Sequence, residues 1–162
     1  MRNLTLMTDL YQLTMMNGYF KSGTAKSTAV FDLFFRPSEQ MSYAVAAGLA
    51  QAVEYIQGLK FTKEDTEYLK TLNLFDDEFI EYLKRFRFSG DIWSVEEGEI
   101  VFAGEPIMIV RGSIIEAQLV ETCLLNIINH QTLIASKASR IVTAAGSGSV
   151  MGYFSIFFRL SK

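Results

Sequence analysis

The sequence predicts an α/β domain with a hydrophobic core of its own, and three observations carry that prediction. Hydrophobic residues make up 49% of the 162-residue chain and charged residues 20%, a composition that packs rather than stays disordered. Runs rich in β-branched and aromatic residues, bounded by Gly or Pro, are interspersed with runs whose apolar residues recur at helical spacing. The longest helical pattern opens at Ser113 and continues to about Ala145.

From the N-terminus, residues 8 to 22 place Leu10, Leu13, Met15 or Met16, and Tyr19-Phe20 on a helix that ends near Gly23. Residues 28 to 36 are β-branched and aromatic and stop at Pro37, which predicts a strand. Alternation puts Phe31, Leu33 and Phe35 on one face and Val30, Asp32, Phe34 and Arg36 on the other. Small residues from Ala44 to Ala52 predict a closely packed helix running on to Tyr55 or Ile56. Two amphipathic helices follow, around 62–72 and 76–86, capped by Thr62 and Asp76; only Thr62, with Asp65 three residues on, makes a capping box.

Residues 91–112 read as a small β unit. Asp91-Ile-Trp-Ser-Val and Ile107-Met-Ile-Val are strand-like, and Glu96 to Pro106 between them supplies glycine-punctuated turns. Ser113-Ile-Ile-Glu116 is a capping box opening the long helix. No repeat or low-complexity linker separates the pieces, so one domain is expected over 1–146, in up to two lobes, with 147–162 apart from it.

Composition excludes several functions. A net charge of −3 gives no general attraction to nucleic acid or to an anionic membrane. A single cysteine (Cys123) and a single histidine (His130) rule out a disulfide framework and a Cys/His zinc site, so no metal site is expected. One free thiol suits a reducing, cytoplasmic compartment. No signal peptide is evident at the N-terminus, and no run of ~18 uncharged apolar residues would span a bilayer.

On the long helix, Asn126, Asn129, His130, Lys137 and Arg140 share one face, with Leu124, Ile128, Ala135 and Val142 opposite. This stripe has no carboxylate from Asn126 to Arg140. Two readings follow: a solvated basic face, or one that meets an anion or a polar interface. Asp9 at a helix start favours the helix dipole, and Tyr11 is a core or interface aromatic. Arg36, ending an apolar strand, needs an anionic partner, which is Asp32 in the structural reading and a phosphate in the functional one. Glu96 to Gly104 has the turn of a lipoyl or biotinyl carrier, but no lysine occurs between Lys84 and Lys137 to carry the group. Cys123 falls on an apolar helix side and reads as a packing residue. Gly146-Ser-Gly-Ser lacks the signature of a phosphate loop.

The order of the motifs resembles a family. Thr8-Asp-Leu-Tyr-Gln-Leu-Thr-Met15, Phe31-Asp-Leu-Phe-Phe-Arg36, Tyr43-Ala-Val-Ala-Ala-Gly-Leu49, Gly98-Glu-Ile-Val-Phe-Ala-Gly-Glu-Pro106, and Ile115-Glu-Ala-Gln-Leu119 through Asn129-His-Gln-Thr-Leu-Ile-Ala-Ser-Lys-Ala-Ser-Arg140 are similar to the first third of bacterial nicotinate phosphoribosyltransferases. These belong to the type II phosphoribosyltransferases, so the resemblance implies an α+β N-terminal domain that precedes a catalytic α/β barrel.

The activity implied is transfer of phosphoribose from phosphoribosyl pyrophosphate to nicotinate, giving nicotinate mononucleotide for NAD synthesis, with ATP and Mg²⁺ and in a homodimer. Asp9 and Tyr11 match an aspartate and a tyrosine that reach across the dimer into the partner's active site, where the tyrosine packs on the pyridine ring. Arg36 matches an arginine that holds phosphate there. Asn129, Lys137 and Arg140 fall in a family segment whose role is phosphate-facing or structural. The family's phosphorylated histidine lies elsewhere, so His130 does not inherit that role.

After Gly146 the pattern departs. Val150-Met151 suits a first barrel strand, but the residues to Lys162 are unlike the family. A barrel of ~200 residues does not fit after Gly146. The expectation is therefore a truncated chain without turnover of its own. The alternatives are an interaction module that pairs with a full-length subunit, and a non-functional remnant whose aromatic tail (Tyr153, Phe154, Phe157, Phe158) leaves apolar surface exposed.

Overall fold

The structure is a computed structural model that describes residues 3–35 and 42–150. Arg36, and the tail from Met151 with its aromatic residues, lie outside the described residues. The elements are α1 (Leu10–Lys21), β1 (Thr28–Phe34), β2 (Tyr43–Val45), α2 (Leu49–Gly58), α3 (Lys63–Thr71), α4 (Asp77–Lys84), β3 (Asp91–Ser94), β4 (Ile100–Phe102), β5 (Pro106–Ser113) and α5 (Ile114–Ala145). The mixture of helices and strands is the one the sequence predicts.

The long helix organises the rest. Ser113 Oγ accepts from the Glu116 N–H while the Glu116 carboxylate accepts from the Ser113 N–H, the reciprocal box expected from the sequence. From that cap α5 runs 32 residues. Its apolar stripe of Ile115, Leu119, Val120, Cys123, Leu124, Ile127 and Ile128 is buried against α1, α2, β1, β2 and β5. Val142, expected on the same stripe, is instead 57% exposed.

Two antiparallel sheets lie against α5. One has the order β1-β5-β3 and the other pairs β2 with β4. In β1 the predicted alternation holds: Leu33 is buried, Phe31 and Phe35 are half-buried, and Val30, Asp32 and Phe34 are exposed. The strands of 91–112 do not make a sheet by themselves. β5 lies between β1 and β3, β4 pairs with β2, and one buried cluster joins α1, both sheets and α5.

The helix expected over Ala44 to Ala52 is corrected. Tyr43–Val45 is a strand, and α2 begins only at Leu49. The break lies at Gly48, whose φ of 105° suits glycine and whose added Cβ would sit 3.1 Å from the Gln131 side chain. Partners remote in sequence hold the strand. The N–H of Val45 donates to Ser136 Oγ at 2.8 Å, and the N–H of Ala47 donates to Thr132 Oγ1 at 3.2 Å. Glu97 then caps α2, accepting from the N–H groups of Gly48 and Ala50.

The helices expected at 62–72 and 76–86 are α3 and α4. Thr62 and Asp65 make the expected box. Asp76 stands at the N-cap of α4 but makes no side-chain cap bond; its carboxylate pairs instead with Lys21 of α1 at 2.5 Å. Residues 100–102, read as part of a turn, form the third β element of that segment.

Candidate functional site

The start of α1 carries the first motif, and its burial sorts the residues by role. The helix turns Gln12, Leu13, Met16 and Asn17 inward and leaves Asp9, Leu10 and Tyr11 outward. Leu10, expected on the packed face, is 48% exposed. Asp9 occupies the N-cap with extended backbone, yet its carboxylate reaches sideways and accepts from Thr122 Oγ1 of α5 at 3.0 Å. Tyr11 is 53% exposed, and its hydroxyl accepts from Gln12 Nε2 at 3.0 Å.

Gln12 links these groups. It is wholly buried, and its Nε2 also donates to Glu121 Oε2 at 3.0 Å. A carboxylate accepts and does not donate, so Glu121 fixes which end of the amide faces it. Gln118 Nε2 approaches the same oxygen at 3.4 Å. The Gln12 Oε1 has no hydrogen-bond partner among the described residues. The result is a polar ridge, Asp9–Thr122 and Tyr11–Gln12–Glu121, that ties α1 to α5 and holds an exposed phenol ring by its hydroxyl.

Beside this ridge lies a cleft of about 370 Å³ between β1 and α5. Phe31, Leu33, Val120, Leu124 and Leu125 give it apolar walls, and Asp32 and Glu121 also border it.

The other sequence-predicted residues stand apart. Asn129 and Lys137 are exposed on α5. Arg140 is anchored: its guanidinium donates to the Tyr43 carbonyl at 2.7 Å and to the Ser136 carbonyl at 3.0 Å, and it lies 4.5 Å above the Tyr43 ring. That is a strap between α5 and β2. At about 1.5 Å of rise per residue, Arg140 lies roughly 27 Å along the helix from Thr122. Within one chain, Asp9 and Tyr11 therefore do not share a site with Arg140.

Gln12, Glu121 and Thr122 received no role from the sequence. The available signal was position: Gln12 falls on the helix face of Leu13 and Met16, and a buried amide requires partners. Cys123 is a packing residue, as expected. It is fully buried, 3.8 Å from Met7 Sδ, and burial pushes its thiol up to about 11, which keeps it protonated and inert near neutrality. His130 is exposed at the surface of α5.

Among the described residues no group of three or more His, Cys, Asp or Glu side chains is placed to hold a metal ion. No helix among them is long and apolar enough to cross a membrane.

Residues 6–129 match the family model described as the nicotinate phosphoribosyltransferase N-terminal domain. The chain is 49% identical over 146 residues to a nicotinate phosphoribosyltransferase of Bacillus subtilis, which covers 89% of this chain and 30% of that protein. It is 44% identical over 149 residues to nicotinate phosphoribosyltransferase pncB2 of Mycobacterium tuberculosis, covering 91% of this chain and 32% of that one. The crystal structure of human nicotinic acid phosphoribosyltransferase superposes with a TM-score of 0.82 at 33% identity, over 91% of this chain and 31% of the human one. The chain thus spans about a third of the length of the relatives it matches.

Proposed function

The chain belongs to the nicotinate phosphoribosyltransferase family, whose N-terminal domain it matches over residues 6–129, and on that premise we propose that it supplies one wall of an active site whose floor is a barrel in another subunit. The reaction is formation of nicotinate mononucleotide and pyrophosphate from nicotinate and phosphoribosyl pyrophosphate, linked to ATP hydrolysis, in NAD synthesis. The observation that carries this reading is Tyr11. Half its surface is open while its hydroxyl is held by Gln12, which is itself held by Glu121.

A ring restrained in this way presents an aromatic face without losing much side-chain freedom on binding. Stacking on a pyridine ring adds ~0.5–1.5 kcal/mol beyond area burial. Asp9 stands at the same helix start, its carboxylate oriented by Thr122. In this reading Arg36 meets phosphate. Arg140 stays a strap, and Asn129 and Lys137 face solvent or the partner subunit. ATP and Mg²⁺ are bound by other parts of the assembled enzyme.

The described strands form only antiparallel pairs, so they give no ring of parallel strand ends on which pyrophosphate is positioned. The 162-residue polypeptide alone is therefore expected to show no turnover. The test combines it with a full-length family member whose own aspartate–tyrosine motif has been disabled. Restored nicotinate mononucleotide synthesis, lost again with Tyr11→Ala, is the expected result. Turnover by the pure chain, or a mixed dimer seen by native mass spectrometry without restored activity, overturns the proposal.

A further inference from the structure

A cleft of about 570 Å³ opens where the end of α1, the end of α4 and the start of α5 meet. Pockets for small organic ligands span roughly 300–1,000 Å³, so the size is sufficient. It is separate from the ridge under Tyr11. Phe20, which lines the cleft, stands at the other end of α1, about 13 Å of helical rise away.

The charges in this cleft are left without partners. Lys26, Arg85 and Arg87 all line it, all are exposed, and none makes an ion pair among the described residues. By contrast, Lys21, Lys63, Lys70 and Lys84 each pair with a carboxylate, and Lys84 is the immediate neighbour of Arg85. Two carboxylates border the cleft. Glu78 makes no ion pair among the described residues and offsets one cation. Glu116 is occupied, accepting two hydrogen bonds from Ser89 and two from Ser113. The same bonds close the N-terminus of α5, so attraction for an anion comes from the cations and not from the helix end. Positive charge stays in excess there, in a chain whose net charge is −3.

Packing holds these groups in place. Phe86, between the two arginines, is 3% exposed and meets Phe61 edge-on at 5.9 Å. Arg87 Nη1 donates to the Phe86 carbonyl at 2.6 Å, which leaves its remaining N–H groups for a ligand. Another wall is aromatic. Tyr82 is half-buried, stacked on Phe79 at 6.2 Å and tilted against Phe20 at 5.2 Å. Burial, and after it the charge of Glu116, holds the Tyr82 hydroxyl above the usual phenol range, so at neutral pH it is a donor.

We propose that this cleft binds a phosphate monoester carried on a flat ring, of the class of a nucleoside monophosphate. A phosphate monoester has a charge of about −1.5 to −2 at pH 7 and three strong acceptor oxygens, which match the surplus of cationic N–H donors. Its ring matches the faces of Phe20 and Tyr82. A carboxylate brings one charge and two oxygens, and a neutral ring leaves the cations unused. The proposal does not depend on whether Tyr11 or Asp9 touches substrate.

The test titrates the 162-residue chain with adenosine 5′-monophosphate by calorimetry, with adenosine and inorganic phosphate as separate titrants. The nucleotide is expected to bind saturably with a Kd below about 1 mM, at least roughly tenfold tighter than either fragment. Lys26→Gln and Arg85→Gln alter exposed side chains and are each expected to weaken binding roughly tenfold at an unchanged thermal midpoint. Lys63→Gln, on α3 and outside the cleft, is expected to leave binding as it is. Absence of saturable nucleotide binding overturns the proposal. So does a nucleotide that binds no better than inorganic phosphate or adenosine, or equally well to the Lys26→Gln, Arg85→Gln double variant.

Discussion

Ser89 gives Glu116 two hydrogen bonds, one from its backbone N–H at 2.6 Å and one from its hydroxyl at 2.8 Å. Ser113 gives two more, from N–H at 2.9 Å and from Oγ at 2.6 Å. One carboxylate thus closes the cap of α5 and fastens the segment before β3 to it. Burial of Glu116 pushes its proton affinity up, but the four donors together outweigh that and hold the carboxyl below the usual glutamate range.

Replacing Glu116 with Gln leaves a single accepting oxygen for four donors. A loss of about 2 kcal/mol is expected at pH 7, measured by urea denaturation. The pH dependence has a definite sign. A carboxyl depressed in the folded state contributes stability that is fully present above its unfolded value, near ~4.3, and is lost as pH falls through the folded one. The gap between the native chain and Glu116→Gln should therefore narrow below about pH 4. A gap that stays constant to pH 3 would mean that the carboxylate charge contributes nothing.

Two glycines are expected to respond in opposite directions to alanine. A Cβ on Gly90 would lie 2.4 Å from the Arg111 carbonyl oxygen and 3.1 Å from Gly112 Cα, so backbone must move to admit it. Gly90→Ala should cost at least ~2 kcal/mol. Gly18 lies within α1 with nothing within 4 Å of an added Cβ. Gly18→Ala should stabilise by about 0.5–1 kcal/mol, because alanine loses less backbone freedom in a helix. Thermal midpoints that fall for both variants would contradict the account of Gly18.

The contrast shows what was legible in the sequence. The caps at Thr62 and Ser113, the strand alternation of Phe31 and Leu33, and the long helix are local patterns, and local patterns can be read directly. Ala44 to Gly48 misled because small residues also suit a strand that must lie close to a helix. The hydroxyls that fix that strand, Thr132 and Ser136, lie more than eighty residues away. The ridge under Tyr11 was hidden for the same reason. Gln12 marks itself as a polar residue on a packed face, but nothing local names Glu121 as its partner.

Gln12 offers a direct test of that ridge. Gln12→Glu places a second carboxylate against Glu121, where the amide now donates at 3.0 Å. Two like charges at that distance, one of them at the buried position of Gln12, favour protonation of one of them. Destabilisation should be greatest near neutral pH and should relax as pH falls through the raised carboxyl value, so the gap narrows in acid as it does for Glu116→Gln but begins to do so at a higher pH. Gln12→Met, of similar volume, removes the donor but also the unpartnered Oε1. Its cost should stay within about 1 kcal/mol, with Tyr11 fluorescence anisotropy falling as the ring loses its tether.

Arg140 and Lys137 separate a strap from a solvated charge on one helix. Arg140 satisfies two carbonyls and rests on the Tyr43 ring, geometry that requires a planar fork. Arg140→Lys should therefore cost about 1 kcal/mol or more, since an ammonium cannot reach both carbonyls and cover the ring together. Lys137 is exposed, and Lys137→Ala should change stability by no more than about 0.5 kcal/mol. In the mixed dimer with a full-length partner, Arg140→Lys should lower activity only in proportion to the folded fraction, restored by cooling. A drop in apparent affinity for phosphoribosyl pyrophosphate at full folding would instead make Arg140 a phosphate ligand.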